Sequence, residues 1–344
     1  MALREPLDPA VAEVRLAVRS ALSKMHVGTT VIVAVSGGAD SLALAAAVAF
    51  EAPKLSITAI SVTVDHSLQP GSVEVAAKAA DQASALGLES RVVTVDVGHD
   101  GGPEASARSA RYAALGGVAR EVSAAAVITG HTLDDQAETV LLGLARGSGA
   151  ASLQGMAVES ERNGTSIVRP LLEVRRTSTR AACAAQHLAP WEDPHNDEAR
   201  FARVRVRTTV LPMLETELGP GIAEALARTA AQLREDAEAF DEMINETIED
   251  IVEHAEAGIS VSAPALAANP AALRHRIIRH VVAAEFHQSL TRSQTLEVAR
   301  LVTHWSGQGA IDLPGCQARR IGNQLEFTAR TAATTDSDET SSAP

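Results

Sequence analysis

The chain has 344 residues, long for one domain, and 46% apolar with 21% charged residues is the composition of a protein that folds in water. A net charge of −13 argues against broad, nonspecific binding to nucleic acid, and with 2% aromatic residues stacking platforms for bases are scarce. Two distant cysteines, Cys183 and Cys316, give no basis for a disulfide framework, a zinc ribbon or an iron–sulfur site.

The N-terminus has no basic stretch followed by an apolar run, and no apolar run reaches the roughly 18 residues of a membrane span, so a cytoplasmic protein is expected. Asp8-Pro9 marks a helix start, with Val11, Val14, Val18 and Leu22 on one face. The β-branched run from Val31 then stops at Ser36-Gly37-Gly38-Ala39-Asp40-Ser41, and a helix-forming run, Leu42 to Phe50, follows at once. A buried strand, a tight loop and a helix N-terminus in that order aim backbone N–H groups and the positive end of a helix dipole at one point, which suits an anion. Gly37 and Gly38 let the backbone turn and approach a phosphate; Ser36 and Ser41 offer hydroxyls, and Asp40 can orient the loop or face a metal. No lysine follows the glycines and there is no Gly-x-Gly-x-x-Gly, so neither of the other common phosphate loops applies.

Leu55 to Val64 reads as a second strand ending in Asp65-His66, Ser72 to Leu86 as a helix, Arg91 to Val97 as a third strand, Pro103 to Ser123 as a helix and Ala126 to Thr129 as a fourth strand. Strands alternating with helices predict a doubly wound parallel sheet, in which ligands sit beyond the strands' carboxyl ends. The three polar clusters, Ser36–Ser41, Asp65-His66 and Gly130–Glu138, all fall at such ends, so one pocket can collect them.

In the third cluster, a helix beginning at Thr132 brings Asp134, Asp135 and Glu138 towards one face. Thr132 and Asp135 also suit a capping box, and both readings stand. Glu104, Arg108 and Arg111 share a helical stripe that would serve equally for surface ion pairing, and His66 and His131 fit ordinary polar loops as well as catalysis. Arg146 to Met156, rich in glycine and serine, is expected to be a mobile loop. Between Ser160 and Arg207 nine arginines, Arg175, Arg176, Arg203, Arg205 and Arg207 among them, face six acids, a local excess that suits either an RNA patch or a solvated face.

Gly219-Pro220-Gly221 marks a boundary, which gives domains 1–218 and 219–330. Beyond it Leu226, Leu233, Phe240, Ile244, Ile248 and Ile251 predict one long amphipathic helix with acids opposite. Arg274, Arg276, Arg279 and His280 lie on a further helix and could attract RNA, and Ile311 to Phe327 reads as a short β-hairpin region. The polar segment 331–344 is expected to be a disordered tail.

The hexapeptide Ser36–Ser41 resembles the pyrophosphate loop (PP-loop) of the N-type ATP pyrophosphatases, which split ATP into AMP and pyrophosphate while adenylating a substrate oxygen. Further markers narrow the resemblance: Val64-Asp65-His66-Ser67-Leu68, Glu104…Arg108…Arg111-Tyr112, Gly130-His131…Asp134-Asp135-Gln136-Ala137-Glu138-Thr139, Arg146-Gly147-Ser148-Gly149, Arg169-Pro170-Leu171-Leu172 and Trp191…Asp193-Pro194…Asn196-Asp197. From about Val31 to Pro212 the chain is similar to the tRNA(Ile)-lysidine synthetase family; Thr132 and Val204 stand where histidine and asparagine are commoner.

The resemblance implies a Rossmann-like PP-loop domain with a smaller, mainly helical C-terminal domain that binds tRNA. It implies ATP and Mg2+ as cofactors, and lysine and a tRNA(Ile) with a CAU anticodon as partners. The ATP phosphates fall to Ser36, Gly37, Gly38, Ala39, Asp40 and Ser41. Asp40, Arg108 and His131 would be catalytic, the last two steadying the nucleotide or adenylate. Asp134, Asp135 and Glu138 would meet the lysine ammonium or the metal, with Asp134 or Asp135 as the Mg2+ ligand. Arg175, Arg176, Arg203, Arg205, Arg207 and Arg274 are the tRNA-binding candidates. A tRNA thiolase, an amide-forming synthetase of the NAD or GMP type and an inactive nucleotide-binding regulator are the competing readings. Oligomeric state, homodimer included, is left open.

Overall fold

A computed structural model describes residues 6–67, 71–98, 103–147, 149–193, 198–255 and 258–330. Leu68, Ser148, the 194–197 stretch and the 331–344 tail lie outside them, as does the side chain of Glu104. By contacts the chain divides into two units, residues 1–234 and 235–344.

The first unit opens with α1 (Pro9–Leu22), begun where Asp8 Oδ1 accepts from the Ala10 N–H at 2.8 Å and Pro9 fixes the first turn. Its apolar stripe, Val11, Val14, Val18 and Leu22, is buried. There follow β1 (Thr30–Ala34), α2 (Ala39–Glu51), β2 (Thr58–Asp65), α3 (Ser72–Ala85), β3 (Glu89–Thr94), α4 (Pro103–Glu121), β4 (Ala126–Ile128), α5 (Leu133–Arg146), α6 (Ala150–Leu153), β5 (Glu159–Arg162), β6 (Thr165–Val168) and α7 (Arg176–Ala185). After α8 (Ala202–Arg205) one π-turn, Val206–Val210, leads into α9 (Leu211–Glu217).

The strands form one sheet in the order β3-β2-β1-β4-β6-β5. Every pair is parallel except β5–β6. The interior strand β1 shows why an unbroken apolar run is needed here. Val31 and Val33 pack among α1, α2 and α7, while Ile32 points to the opposite face, against Tyr112, Leu115 and Val118 of α4. The chain runs from β1 outward through β2 to β3, then returns to place β4 on the other side of β1. That reversal opens a crevice at the carboxyl ends of β1 and β4.

The parallel, doubly wound core is as expected, and three local expectations are corrected. Residues 52–55 form a 3-10 turn, so β2 starts at Thr58 rather than Leu55. The third strand ends at Thr94, short of Val97. The presumed loop after Arg146 contains the short helix α6. The β5–β6 hairpin was not anticipated, because Glu159-Ser160-Glu161-Arg162 is polar and pairs only as an edge.

The helix α10 (Ile222–Ile251) carries the chain into the second unit, with Glu235, Asp236, Glu238, Asp241 and Glu242 exposed. There β7 (Val252–Ala255), β8 (Gly258–Ser262), β9 (Ile311–Leu313), β10 (Cys316–Ile321) and β11 (Gln324–Ala329) form an antiparallel sheet in the order β7-β8-β11-β10-β9. With α11 (Ala263–Ala268), α12 (Ala271–Phe286) and α13 (Arg292–Thr303) it encloses Ile244, Ile277, Val281, Leu325 and Phe327. The hairpin expected at 311–327 is the β10–β11 pair of this larger sheet. Among the described residues no helix is long and apolar enough to cross a membrane.

Candidate active site

At the tip of β1 the chain bends through Ser36, Gly37 and Gly38 into α2. Gly37 has φ +85°, and a Cβ there would stand 3.2 Å from Ala79 Cβ, so both backbone freedom and space require glycine. The bend is braced from within. Ser41 Oγ accepts from the Ser36 N–H at 3.1 Å and from Ser36 Oγ at 3.2 Å, and donates to the Gly38 carbonyl at 2.9 Å. Trp191, from the turn-rich segment after α7, donates its N–H to the Gly37 carbonyl at 2.9 Å. No side chain caps α2, so its first-turn N–H groups remain available to an anion.

Above the bend lies a cavity of about 1010 Å³. Its walls include Ser36, Gly38–Ser41, the β2 end Val62–His66, Arg111, Thr129–His131, Asp135, Arg176, Cys183, Trp191 and Arg207. The three clusters expected to share a pocket therefore do so. Gly130 makes this possible: a Cβ on it would lie 2.9 Å from the Asp40 carbonyl oxygen.

Sequence reading kept the acids and the arginines apart, whereas the structure joins them in one network. Arg176, at the start of α7, reaches Asp40 at 3.4 Å, Asp135 at 2.8 Å and Glu138 at 3.1 Å. Glu138, 0% exposed, also receives a bidentate pair from Arg207 at 2.7 and 3.0 Å and Arg203 at 3.2 Å. Three carboxylates thus balance three guanidinium groups inside the protein. Asp134 turns away, accepting the Arg176 backbone N–H at 2.7 Å and meeting Arg175 at 3.4 Å, while Arg175 also reaches Glu224 at 3.3 Å. Arg205 and Arg274 donate to nearby carbonyls: Ala199 and Arg200, and Ala267 and Asn269 respectively.

These surroundings set the charges. Burial raises the Asp40 pKa, partly countered by a hydrogen bond from the Thr179 hydroxyl and by Arg176. Burial would raise Asp135 as well, but Arg176 and the Thr132 N–H outweigh it and hold the carboxyl below its usual range. The same Asp135 completes the anticipated capping box with Thr132. Burial pushes His131 down to about 3, so its imidazole is neutral at physiological pH, with Thr129 Oγ1 2.9 Å from Nδ1. Arg111 lines the cavity; Arg108 is not among the lining residues and lies 5.2 Å from the Tyr112 ring.

Thr179 and Cys183 are parts of this site that sequence reading did not assign, and Gly130, placed in the third polar cluster, had no role of its own there. The i, i+3 and i, i+7 spacing of Thr179 and Cys183 from Arg176 on one helix was the available signal. Cys183 is buried, donates to the Ala39 carbonyl at 3.3 Å and has its pKa pushed up to about 11 by burial and Asp40, the opposite of a reactive thiolate.

Among the described residues no group of three or more His, Cys, Asp or Glu side chains is arranged to hold a metal ion. Both oxygens of Asp135 are already engaged, by Thr132 and by Arg176, and Asp134 faces α7. These two residues do not fit a protein-built Mg2+ site.

A glycine bend at the tip of a parallel strand, an uncapped helix beneath it and a cavity at the sheet's reversal define a PP-loop nucleotide-binding domain. A family model for the PP-loop domain matches residues 13–214, and one described as the TilS substrate binding domain matches residues 262–326. The chain is 55% identical over 302 residues to the tRNA(Ile)-lysidine synthase of Leifsonia xyli subsp. xyli, covering 87% of this chain and 90% of that one. It is 51% identical over 314 residues to the Salinispora tropica enzyme of the same name, covering 90% and 93%. The chain belongs to the tRNA(Ile)-lysidine synthase family. Among solved structures, the U34-tRNA thiolase NcsA from Methanococcus maripaludis shares the fold, with a TM-score of 0.57 at 18% identity over 66% of this chain and 80% of that one.

Proposed function

We propose that this protein ligates lysine to C2 of the wobble cytidine in a tRNA(Ile) with a CAU anticodon, at the expense of ATP. The cytosine C2 carbonyl oxygen attacks the α-phosphorus of ATP and pyrophosphate leaves. The lysine ε-ammonium loses a proton to water; the neutral amine then attacks C2, the C2–O bond breaks and AMP departs with the oxygen. A carbonyl oxygen is a poor leaving group until it is adenylated, which is why ATP is required. The observation that carries this reading is the braced Ser36–Ser41 bend over the uncapped N-terminus of α2, which offers fixed N–H groups to charge growing on the pyrophosphate.

In this reading the phosphates lie against Ser36, Gly37, Gly38, Ala39, Asp40 and Ser41, with Ser41 acting through the shape of the loop. His131 and Arg108 steady the adenylate. The lysine ammonium enters beside Asp135 and Glu138, where it exchanges with guanidinium partners already present, and Asp134 supports them from behind. Mg2+ arrives on the ATP phosphates, as a hard cation that keeps most of its waters. The 219–330 region, through Arg274 and its neighbours on α12, contacts the tRNA, and the enzyme works in the cytoplasm.

The test is to incubate the purified protein with Mg-ATP, radiolabelled lysine and unmodified tRNA. Release of AMP together with label in the RNA is the expected result. AMP formed with ammonia or glutamine and no RNA would instead point to an amide-forming synthetase.

A further inference from the structure

Around Tyr112 lies a cluster of cations that no carboxylate pairs with among the described residues. The ring of Tyr112, a residue 4% exposed, has the guanidinium carbons of Arg162, Arg108 and Arg111 at 4.5, 5.2 and 5.3 Å from its centroid. Arg169, 7% exposed, completes the group. Its Nη1 donates to the Ala157 carbonyl and to Ser160 Oγ, both at 2.9 Å, while its Nε is buried without a partner. His66 Nδ1 and the Tyr112 hydroxyl are likewise buried with no well-aligned hydrogen bond.

None of these four arginines forms an ion pair with a carboxylate among the described residues, although Arg176, Arg203 and Arg207 of the same unit are all matched. Burial lowers the pKa of Arg111, and Arg108 and Arg162 add repulsion. Clustered, partly buried like charges without a counter-ion are costly, so such an arrangement persists where an anion completes it.

We propose that Arg111, Arg162 and Arg169 hold a backbone phosphate of the RNA next to the target nucleotide, a reading that rests on the function proposed above. Arg111 and His66 line the same cavity as the glycine bend, so an anion held by Arg111 borders the reaction space; Arg162 and Arg169 are not among the lining residues and flank Arg111 at Tyr112. The ATP tail already has an anion site of its own at α2. With Arg108 kept for the adenylate, Arg111, Arg162 and Arg169 remain for a further anion. A nucleotide splayed out of its stack carries a phosphodiester on each side, and guanidinium forks match phosphate oxygens in pairs. The neutral imidazole of His66 can add one N–H.

The experiment uses the full chain, with Arg162→Gln and Arg111→Gln compared with wild type and Arg162→Lys. Binding to an unmodified tRNA(Ile) transcript is followed against salt. Binding of a non-hydrolysable ATP analogue is measured without RNA, and thermal unfolding checks the fold. Each glutamine variant is expected to weaken tRNA binding about tenfold and to lower the slope of log Kd against log salt by about 0.7. Arg162→Lys should retain most of the slope, and analogue affinity should stay within about twofold of wild type. Unchanged tRNA affinity and slope in folded Arg162→Gln would overturn the proposal, as would an equal loss for the analogue, which would place a nucleotide phosphate there. Wild-type protein that binds no tRNA would instead remove the functional reading itself, and that is seen before any variant is made.

Discussion

Gly130 and Asp40 meet backbone to backbone: a Cβ on Gly130 would lie 2.9 Å from the Asp40 carbonyl oxygen and 3.1 Å from the Ser41 nitrogen. Neither neighbour is a side chain that can swing aside. Gly130→Ala is therefore expected to push the first turn of α2 off its position and raise the KM for ATP about tenfold or more, by the cost of one misplaced charge-assisted contact. Thermal unfolding should move far less. An unaltered KM would show that the loop tolerates the displacement.

Arg176 ties together Asp40, Asp135 and the fully buried Glu138. Replacing it by methionine leaves carboxylates in the interior with one cation fewer, at a cost of about 3 kcal/mol, since Arg203 and Arg207 still serve Glu138. Urea unfolding measures the loss. Adding Glu138→Gln to Arg176→Met should recover part of it, because the charges removed are opposite. Additive losses would mean that the two groups do not share one network.

Asp40 titrates high because of burial, and the Thr179 hydroxyl restrains that rise. Thr179→Val keeps the volume and removes the donor, so the carboxyl should move further up. If ionised Asp40 serves the reaction, the acid limb of the pH–rate profile shifts upward by roughly one unit. Steady-state AMP release from about pH 5 to 8 tests this, and a limb that stays in place separates Asp40 from the rate.

The buried His131 imidazole titrates near 3 in the fold and near 6.5 when free. Between those values the unfolded chain binds the extra proton, so stability rises with pH across that window and is lost as pH falls from about 6.5 towards 3. Asp135, held below its usual range, adds a separate loss only below about pH 4. The unfolding free energy from urea titration should therefore fall on acidification through the upper part of the window, by an amount on the order of a few kcal/mol, and His131→Gln should flatten that decline.

What could be read in advance depended on how local the signal was. Ser36 to Ser41 is legible because two glycines, an acid and hydroxyls directly after a β-branched run have few other uses. The capping box at Thr132 and Asp135 is legible for the same reason: its partners are three residues apart. The pairing of Glu138 with Arg176, Arg203 and Arg207 spans 38 to 69 positions and depends on how α7 and the π-turn come to rest on α5. Composition supplied both charge types and could not say that they would face each other. Arg108 and Arg111 illustrate a finer limit. Three positions apart on α4, they share a stripe, yet only Arg111 lines the cavity.

The hydroxyl of Ser41 has one proton and two lone pairs, and the bend itself consumes all three. Recognition at this place is thereby left to main-chain amides, which count phosphates and are blind to the heterocycle at the other end of the molecule. The purine has to be chosen elsewhere in the cavity, so a side-chain exchange that alters which nucleoside triphosphate is accepted should leave the grip on its tail as before.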